Sequence, residues 1–508
     1  MKKILLLLLA CSFFTQAQNV TINPGGITPA LTGTYPRISY DAILALPSPV
    51  IGDMAFDTTF LCMRVYIGTT WVCIQMPEQP FLDKVYIASA GSSSEDSGNS
   101  VAVDGSGNVY IVGTFQGTAS FSGATITSAG SFDVFIAKYS SSGTLQWLRS
   151  AGGISHDYAH SIALDASGNV YISGHFYDMA TFGGSNISGE GGYDIFMAKY
   201  NSSGSYLWVQ SAGGTSNDYC RSLAVNISGD VCVSGYFYGT ANFAGSNINS
   251  EGSADIYVAK YDSNGNFLWV RSAGGTSNDY SFSTAIDGAG NVYITGRVQG
   301  TANFGGVFLG SAGSYDIYIA KYNSVGALQW LQSTGGSYTD YGYSVAVDVS
   351  GNVYLTGNYS GTTNFGFSSV TSVGGTDIFI AKYNSSGASQ WVQSAGSTSS
   401  DNSLALALDG SGNAYITGSY LGTANFGSSN ITSAGGTDIF IAKYNSSGNL
   451  QWVESAGGSS HDSGQSVAVD GAANVYITGY YLGTSTFGVS VITSSGDTDV
   501  FLGRICQH

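Results

Sequence analysis

Three of the chain's five histidines, His156, His160 and His175, fall close together, and two of its few arginines, Arg221 and Arg297, follow. Imidazoles can ligate metals or move protons, and guanidinium groups can hold anions. The segment "HDYAH", His156 to His160, has an i, i+4 spacing that converges only on a helix. Its surroundings read as a loop entering a strand, so no metal is assigned. Two series of aspartates are the other candidates. Asp96, Asp157, Asp218, Asp279, Asp340, Asp401 and Asp462 form one; Asp133, Asp194, Asp255, Asp316, Asp377, Asp438 and Asp499 form the other. Hard cations want several carboxylate oxygens, so a cation-binding rim is one reading. The preferred one is that each Asp takes local backbone amides at a turn. "DGSGN" is short of calcium ligands and reads as a turn. The sequence holds no G-x-S-x-G, H-E-x-x-H or C-x-x-C, and no cofactor is implied.

The elements that must position these groups repeat. Trp147, Trp208, Trp269, Trp330, Trp391 and Trp452 each stand 61 residues after the last (Trp147 to Trp208, and onward). The Asp133 series keeps the same step. So does a third marker, Asn108, Asn169, Asp230, Asn291, Asn352, Asn413 and Asn474. Seven copies in register define a repeat architecture, to be read before anything else.

Within one copy, "SIALD", "NVYISGHF", "DIFMAKY" and "YLWVQSAG" read as four strands. The first two are joined by a hairpin turn in which Asp can bond its own backbone and Gly takes positive φ. The expected fold is all-β: a seven-bladed β-propeller of four-stranded blades, with the extra length in a link before each third strand. A β-solenoid is the runner-up. The seventh copy stops at "DVFLGRICQH", and an orphan fourth strand, Lys84–Gly91, precedes the first. A ring lets that strand complete the last blade and leaves no bare edge. Ala102, Ala163, Ala224, Ala285, Ala346, Ala407 and Ala468 alternate with larger neighbours. Small faces should therefore meet large ones between blades, and the Trp series should pack in the core. Ala473 replaces the turn glycine of the other copies, so either it is strained or the turn changes type.

The line "SIALDASGNVYISG…YDIFMAKYNSSG…WVQSAGG" resembles the SBBP-type β-propeller repeat of secreted bacterial proteins. The resemblance covers residues 81–508. It implies the propeller fold and little about activity, since such repeats occur in many secreted and surface proteins. Residues 18–80, with "GDMAFDTTFLCMRVYIGTTWVCI", look like a small β-rich module found at the start of secreted Bacteroidetes-type proteins.

"MKKILLLLLACSFFTQAQNV" reads as an export signal, residues 1–17, too short to span a bilayer. A lipid on Cys11 is the rival reading of that segment. A secreted or cell-surface protein is expected. Export permits disulfides, and Cys62 could pair with Cys73 across a hairpin. The net charge of −17, with 10% charged residues, argues against nucleic acid, which needs a basic surface. No membrane span is expected, and a monomer is.

Structural positions repeat, so a functional position should break the repeat. One such column, just before the first strand, reads Asn99, His160, Arg221, Phe282, Tyr343, Leu404, Gln465. Another, in the second strand, reads Thr114, His175, Tyr236, Arg297, Asn358, Ser419, Tyr480. Strand pairing brings the two columns together, so His160, His175, Arg221, Tyr236, Phe282, Arg297 and Tyr343 are the candidate ligand-binding residues, on an exposed rim. A non-catalytic binding or scaffold protein for a glycan or protein ligand is the expected function. The alternative is a secreted polysaccharide hydrolase or lyase on the same rim. It would need a carboxylate pair that breaks the repeat, and no such pair is evident, so no catalytic residue is named.

Overall fold

The computed structural model describes the chain continuously from Ile87 to Ile505, and before that only short segments between Lys3 and Ile74. Residues 6–17, with Cys11, and the side chains of Cys62 and Cys73 lie outside the described residues. The chain divides into two units, Met1–Phe81 and Leu82–His508. In the first, Met54–Asp57, Cys62–Tyr66 and Trp71–Ile74 form an antiparallel meander whose register sets Cys73 opposite Arg64.

In the second unit every element is a strand. Asp157–Leu164, Val170–Phe182, Ser185–Tyr200 and Tyr206–Ala212 pair in chain order as one antiparallel sheet. The first turn forms because Asp165 organises it. Its Oδ1 accepts the backbone N–H groups of Ser167 and Asn169, its Oδ2 accepts the Asn169 side chain and the Tyr171 hydroxyl, and Gly168 takes φ +74°. The "DGSGN" segment, Asp104 to Asn108, makes the same bonds and is likewise a turn whose carboxylate is already satisfied. Ala473 adopts φ +62°. The turn type is kept, and a residue with a Cβ stands where its sister copies have glycine.

The link before the third strand is ordered, which the sequence reading did not foresee. The second and third strands run on past a bulge between Tyr177 and Met179 and close as a hairpin, Met179–Phe182 against Ser185–Ser188. That hairpin reaches the preceding sheet, where the N–H groups of Gly152 and Thr181 each donate to the other's carbonyl. Equivalent bridges join Gly213 to Asn242, Gly274 to Asn303 and Gly396 to Asn425. The extra length of the repeat therefore stitches neighbouring sheets together.

The first strands form a circuit. Ser97–Val103 packs beside Asp157–Leu164, and the contacts continue through Asp218–Val225, Tyr280–Ile286, Tyr341–Val347, Asn402–Leu408 and Ser463–Val469 back to Ser97–Val103. The core lies between sheets. Ile162, Val170, Ile172 and Phe196 of one sheet pack with Tyr110, Val112 and half-buried Ala102 of the sheet before. Small thus meets large, as the alternation implies. The tryptophans act across the same junctions. Trp147 donates its indole N–H to Ser202 O at 3.2 Å, and its ring fills the space where a Cβ on Gly204 would sit.

The orphan strand closes the array. Ile87–Gly91 pairs antiparallel with Asp499–Ile505, Ala90 opposite Val500, and Ala90 and Gly91 also meet Phe121 and Ser120.

Candidate binding face of the central repeats

A bulge sets the geometry. Ala159 pairs with Gly174 and Ser161 with Ser173, which leaves His160 unpaired between them, while Tyr158 lies opposite His175. The imidazoles of His160 and His175 stack at 4.9 Å between centroids. Tyr193 and Tyr219 meet His175 edge-on at 5.0 and 4.9 Å. The ring contacts then pass from sheet to sheet: Tyr219 to Tyr236 at 4.9 Å, and Tyr236 to Tyr280 at 4.6 Å. Phe282 lies 5.3 Å from Tyr343. The Arg221 guanidinium sits 5.8 Å over Tyr236. Arg297 is held among Tyr315 at 4.0 Å, Tyr341 at 4.5 Å, Tyr280 at 4.7 Å and Phe282 at 5.8 Å. All seven candidate residues thus belong to one aromatic layer across four consecutive repeats.

Their expected exposure is corrected. They do not stand on an open rim. His175 is only 5% exposed, and the other six are half-buried. Beside the bulge these side chains pack against one another and stay partly accessible. Arg221 acts electrostatically on His160 and His175 and also on Tyr343, two repeats further on. Burial, reinforced by the Arg221 charge, holds His175 down at about 3 and His160 well below the usual imidazole range. Both rings are neutral at physiological pH. His156 is exposed and stacks beside Tyr158 and Phe132. No group of three potential metal ligands occurs among the described residues.

Sequence reasoning missed the tyrosines that make the layer continuous. One column reads Ser97, Tyr158, Tyr219, Tyr280, Tyr341, Asn402, Ser463. It repeats across a block of copies and changes outside that block. A search for positions that differ in every copy passes over it.

The two aspartate series meet at the junctions between repeats. Asp157 Oδ2 accepts Gly153 N–H at 2.7 Å, and Asp133 Oδ2 accepts Ala129 N–H at 2.8 Å. A Cβ on Gly152, between them, would lie 2.7 Å from Asp133 and 2.9 Å from Asp157. Asp157 is 0% and Asp133 3% exposed. Burial raises Asp157 to about 7 and Asp133 to about 6, and Asp133 adds to the shift of Asp157. Asp218 rises to about 8, from burial and then from Asp194. Perturbed carboxyls often mark functional sites. Here they recur from junction to junction, sealed from solvent, with Oδ2 accepting backbone amides in the turn-organising role. Oδ1 of Asp133, Asp157, Asp255, Asp316, Asp377, Asp438 and Asp499 is buried without a partner among the described residues. At the opposite end of the repeats lies an open hollow of about 460 Å³, lined by Val103, Asp104, Leu164, Asp165, Asn226 and Ile227 among others. Its two carboxylates are already satisfied by their turns.

Residues 85–114 and 329–366 match the family model described as a beta-propeller repeat, SBBP. An uncharacterized WD repeat-containing protein of Acanthamoeba polyphaga mimivirus is 26% identical over 456 residues, covering 71% of this chain and 32% of its own length. Regulatory protein FlaEY of Caulobacter vibrioides is 29% identical over 168 residues, 32% of this chain and 17% of its own. The chain thus spans a third or less of the curated relatives it matches. Among solved structures, the WD40 beta propeller domain of Doa1 is similar at 12% identity and a TM-score of 0.40, over 82% of this chain and 96% of that one. A protein of unknown function from Bacteroides caccae is similar at 11% identity and a TM-score of 0.34, over 63% of this chain and 89% of that one. The fold is all-β and propeller-like. No helix among the described residues is long and apolar enough to cross a membrane.

Proposed function

We propose that the chain is an exported, monomeric, seven-bladed β-propeller that acts at the cell surface or beyond it as a non-catalytic binding or scaffold protein. Its contact surface is the aromatic face of the second to fifth repeats, and its ligand is a glycan or a protein. The observation that carries this reading is the continuous ring layer from Tyr158 to Tyr343, present on one arc of the circuit and replaced elsewhere by Ser, Asn, Thr, Leu and Gln, with Tyr480 the one aromatic left in these columns. Packing alone would repeat all the way round, as the alanines and tryptophans nearly do. Tyr offers a flat apolar face and a polar tip, which suits recognition at a wet surface. Export rests on the N-terminal segment alone. A polysaccharide-active enzyme on the same face would need reachable paired carboxylates. The junction pairs are walled off by their own backbone.

The test is a glycan and protein array probed with the purified full chain and with a Tyr177→Ala/Tyr193→Ala variant. Tyr177 is 38% exposed and meets Tyr193 edge-on at 5.3 Å. Tyr193 is half-buried against His175, so a Tyr177→Ala single variant, with melting nearly unchanged, serves as the control for the pair. Signals lost in the variant at unchanged melting support the face. Signals fully retained move the contact surface elsewhere.

A further inference from the structure

The arginines of this face are not partnered like Arg149 and Arg271. Those two, on outer strands, donate Nε–H to Gly204 O and Gly326 O at 2.8 Å each. Arg221 and Arg297 donate to no oxygen among the described residues, and Arg297 Nε is buried without a partner. Neither forms an ion pair there. Elsewhere lysines do pair with carboxylates, as Lys199 with Asp165 and Lys260 with Asp230. Carboxyls are present near this layer but are turned to backbone amides. Asp218 is bonded by Gly214 and Tyr238, and Asp279 by Gly275 and Gln299. Both guanidinium groups act electrostatically on the same two residues, Tyr236 and Tyr343. Two unpaired cations therefore share one neighbourhood in a chain of net charge −17.

A guanidinium without an oxygen acceptor is an unused set of fixed N–H donors, and a planar carboxylate matches it in bidentate geometry. The rings around it supply flat faces on which the C–H face of a pyranose can stack. Peptide recognition is less well served. An added peptide strand would pair along an open outer edge such as that of Tyr206–Ala212, away from this side-chain layer.

Resting on the reading above, we propose that the aromatic face binds an acidic glycan, specifically a polymer of uronic acid residues. Tyrosine rings carry the sugar faces, and Arg221 and Arg297 take the carboxylates. A neutral glycan would leave both guanidinium groups covered and unpaired, which costs affinity.

The experiment is calorimetric titration of the full chain with an oligogalacturonate and with a neutral galactan oligomer of equal length. The acidic oligomer should bind about tenfold or more tightly, and added salt should weaken it. Arg297→Gln should remove most of that preference and Arg297→Lys less of it, with melting unchanged in at least one of the two. Equal affinity for the neutral oligomer, lost in the tyrosine variant, would keep the face and overturn the acidic assignment. Equal or tighter binding of polyglutamate, or of dextran sulfate, would overturn the uronic acid assignment. No binding of either oligomer, alongside an array ligand that needs Tyr193, would overturn it too. An array with no tyrosine-dependent ligand would instead sink the binding face itself.

Discussion

Ser100 Oγ accepts the backbone N–H of Ile162, in the first strand of the following repeat, at 3.3 Å. The same bond recurs round the inner circuit. Leu223 donates to Ser161, Thr284 to Ser222, Val345 to Ser283, Leu406 to Ser344 and Val101 to Ser466. The one copy without it carries Ala405 in place of serine, so Val467 meets no hydroxyl at that step. Ala405→Ser should complete the set. Placing a hydroxyl against a waiting N–H is worth about 1 kcal/mol. A denaturant titration should show a higher midpoint at unchanged slope, and a lower midpoint would mean that the sheets are spaced differently there.

The turn at Ala473 offers a second gain. Its φ of +62° places Cβ near the following carbonyl, a cost of roughly 1 kcal/mol that glycine escapes. Ala473→Gly should therefore stabilise, despite the greater freedom of glycine in the unfolded chain. Loss of stability in thermal melting would show that the unfolded-state entropy outweighs the strain.

The sequence made the strand order, the turn chemistry and the closing strand legible, because each depends on local residue types at a fixed period. Tyr158 and its sisters were not, because their column is conserved over part of the array and varied over the rest. Nor could spacing tell which way His160 points. A bulge decides that, and "DYAH" reads the same with or without one. The stitching hairpin escaped notice because Thr181 and Gly152 bond across repeats, whereas the strands were read within one. A different local change explains an odd marker. Asp230 stands in the Asn column because Asn226 has taken the Asp position, and the Asn226 side chain donates to Asp230.

The junction carboxyls set a pH dependence. Asp157, Asp218 and Asp255 have native values near 7 to 8, and Asp96, Asp133, Asp194, Asp279, Asp340, Asp377 and Asp438 near 6, against 3.8 for the free group, all mainly from burial. Between those limits the native state binds more protons than the unfolded one. Their contribution is complete below about pH 4 and is lost as pH rises through 6 to 8. His160 and His175 oppose this, since they stay neutral while the unfolded chain protonates below about 6.5. Two imidazoles are outnumbered by the aspartates. Asp104, Asp165 and Asp409 are lowered by their turn hydrogen bonds, so their share fades in stronger acid. Melting temperature should rise from pH 8 to pH 5. Asp133→Asn, which mimics the protonated acid, should flatten that slope and compare best with the parent at pH 8. A parent that melts higher at pH 8 than at pH 5 would refute the assignment.

Closure can be tested by two truncations. Deletion of residues 1–81 removes the first unit and leaves Ile87–Gly91 in place. Deletion of residues 1–91 also removes the strand that pairs with Asp499–Ile505. Val500, Phe501 and Leu502, buried at present, would then lie along an open edge. The same deletion cuts the bridge from Gly91 to Ser120, so two neighbouring sheets lose their join at once. An open edge of this kind recruits other chains. The shorter deletion should melt close to the full chain. The longer one should melt well below it and aggregate with increasing concentration. If both truncations stay monomeric with equal melting temperatures, the orphan strand does not hold the ring, and the contacts between first strands suffice by themselves.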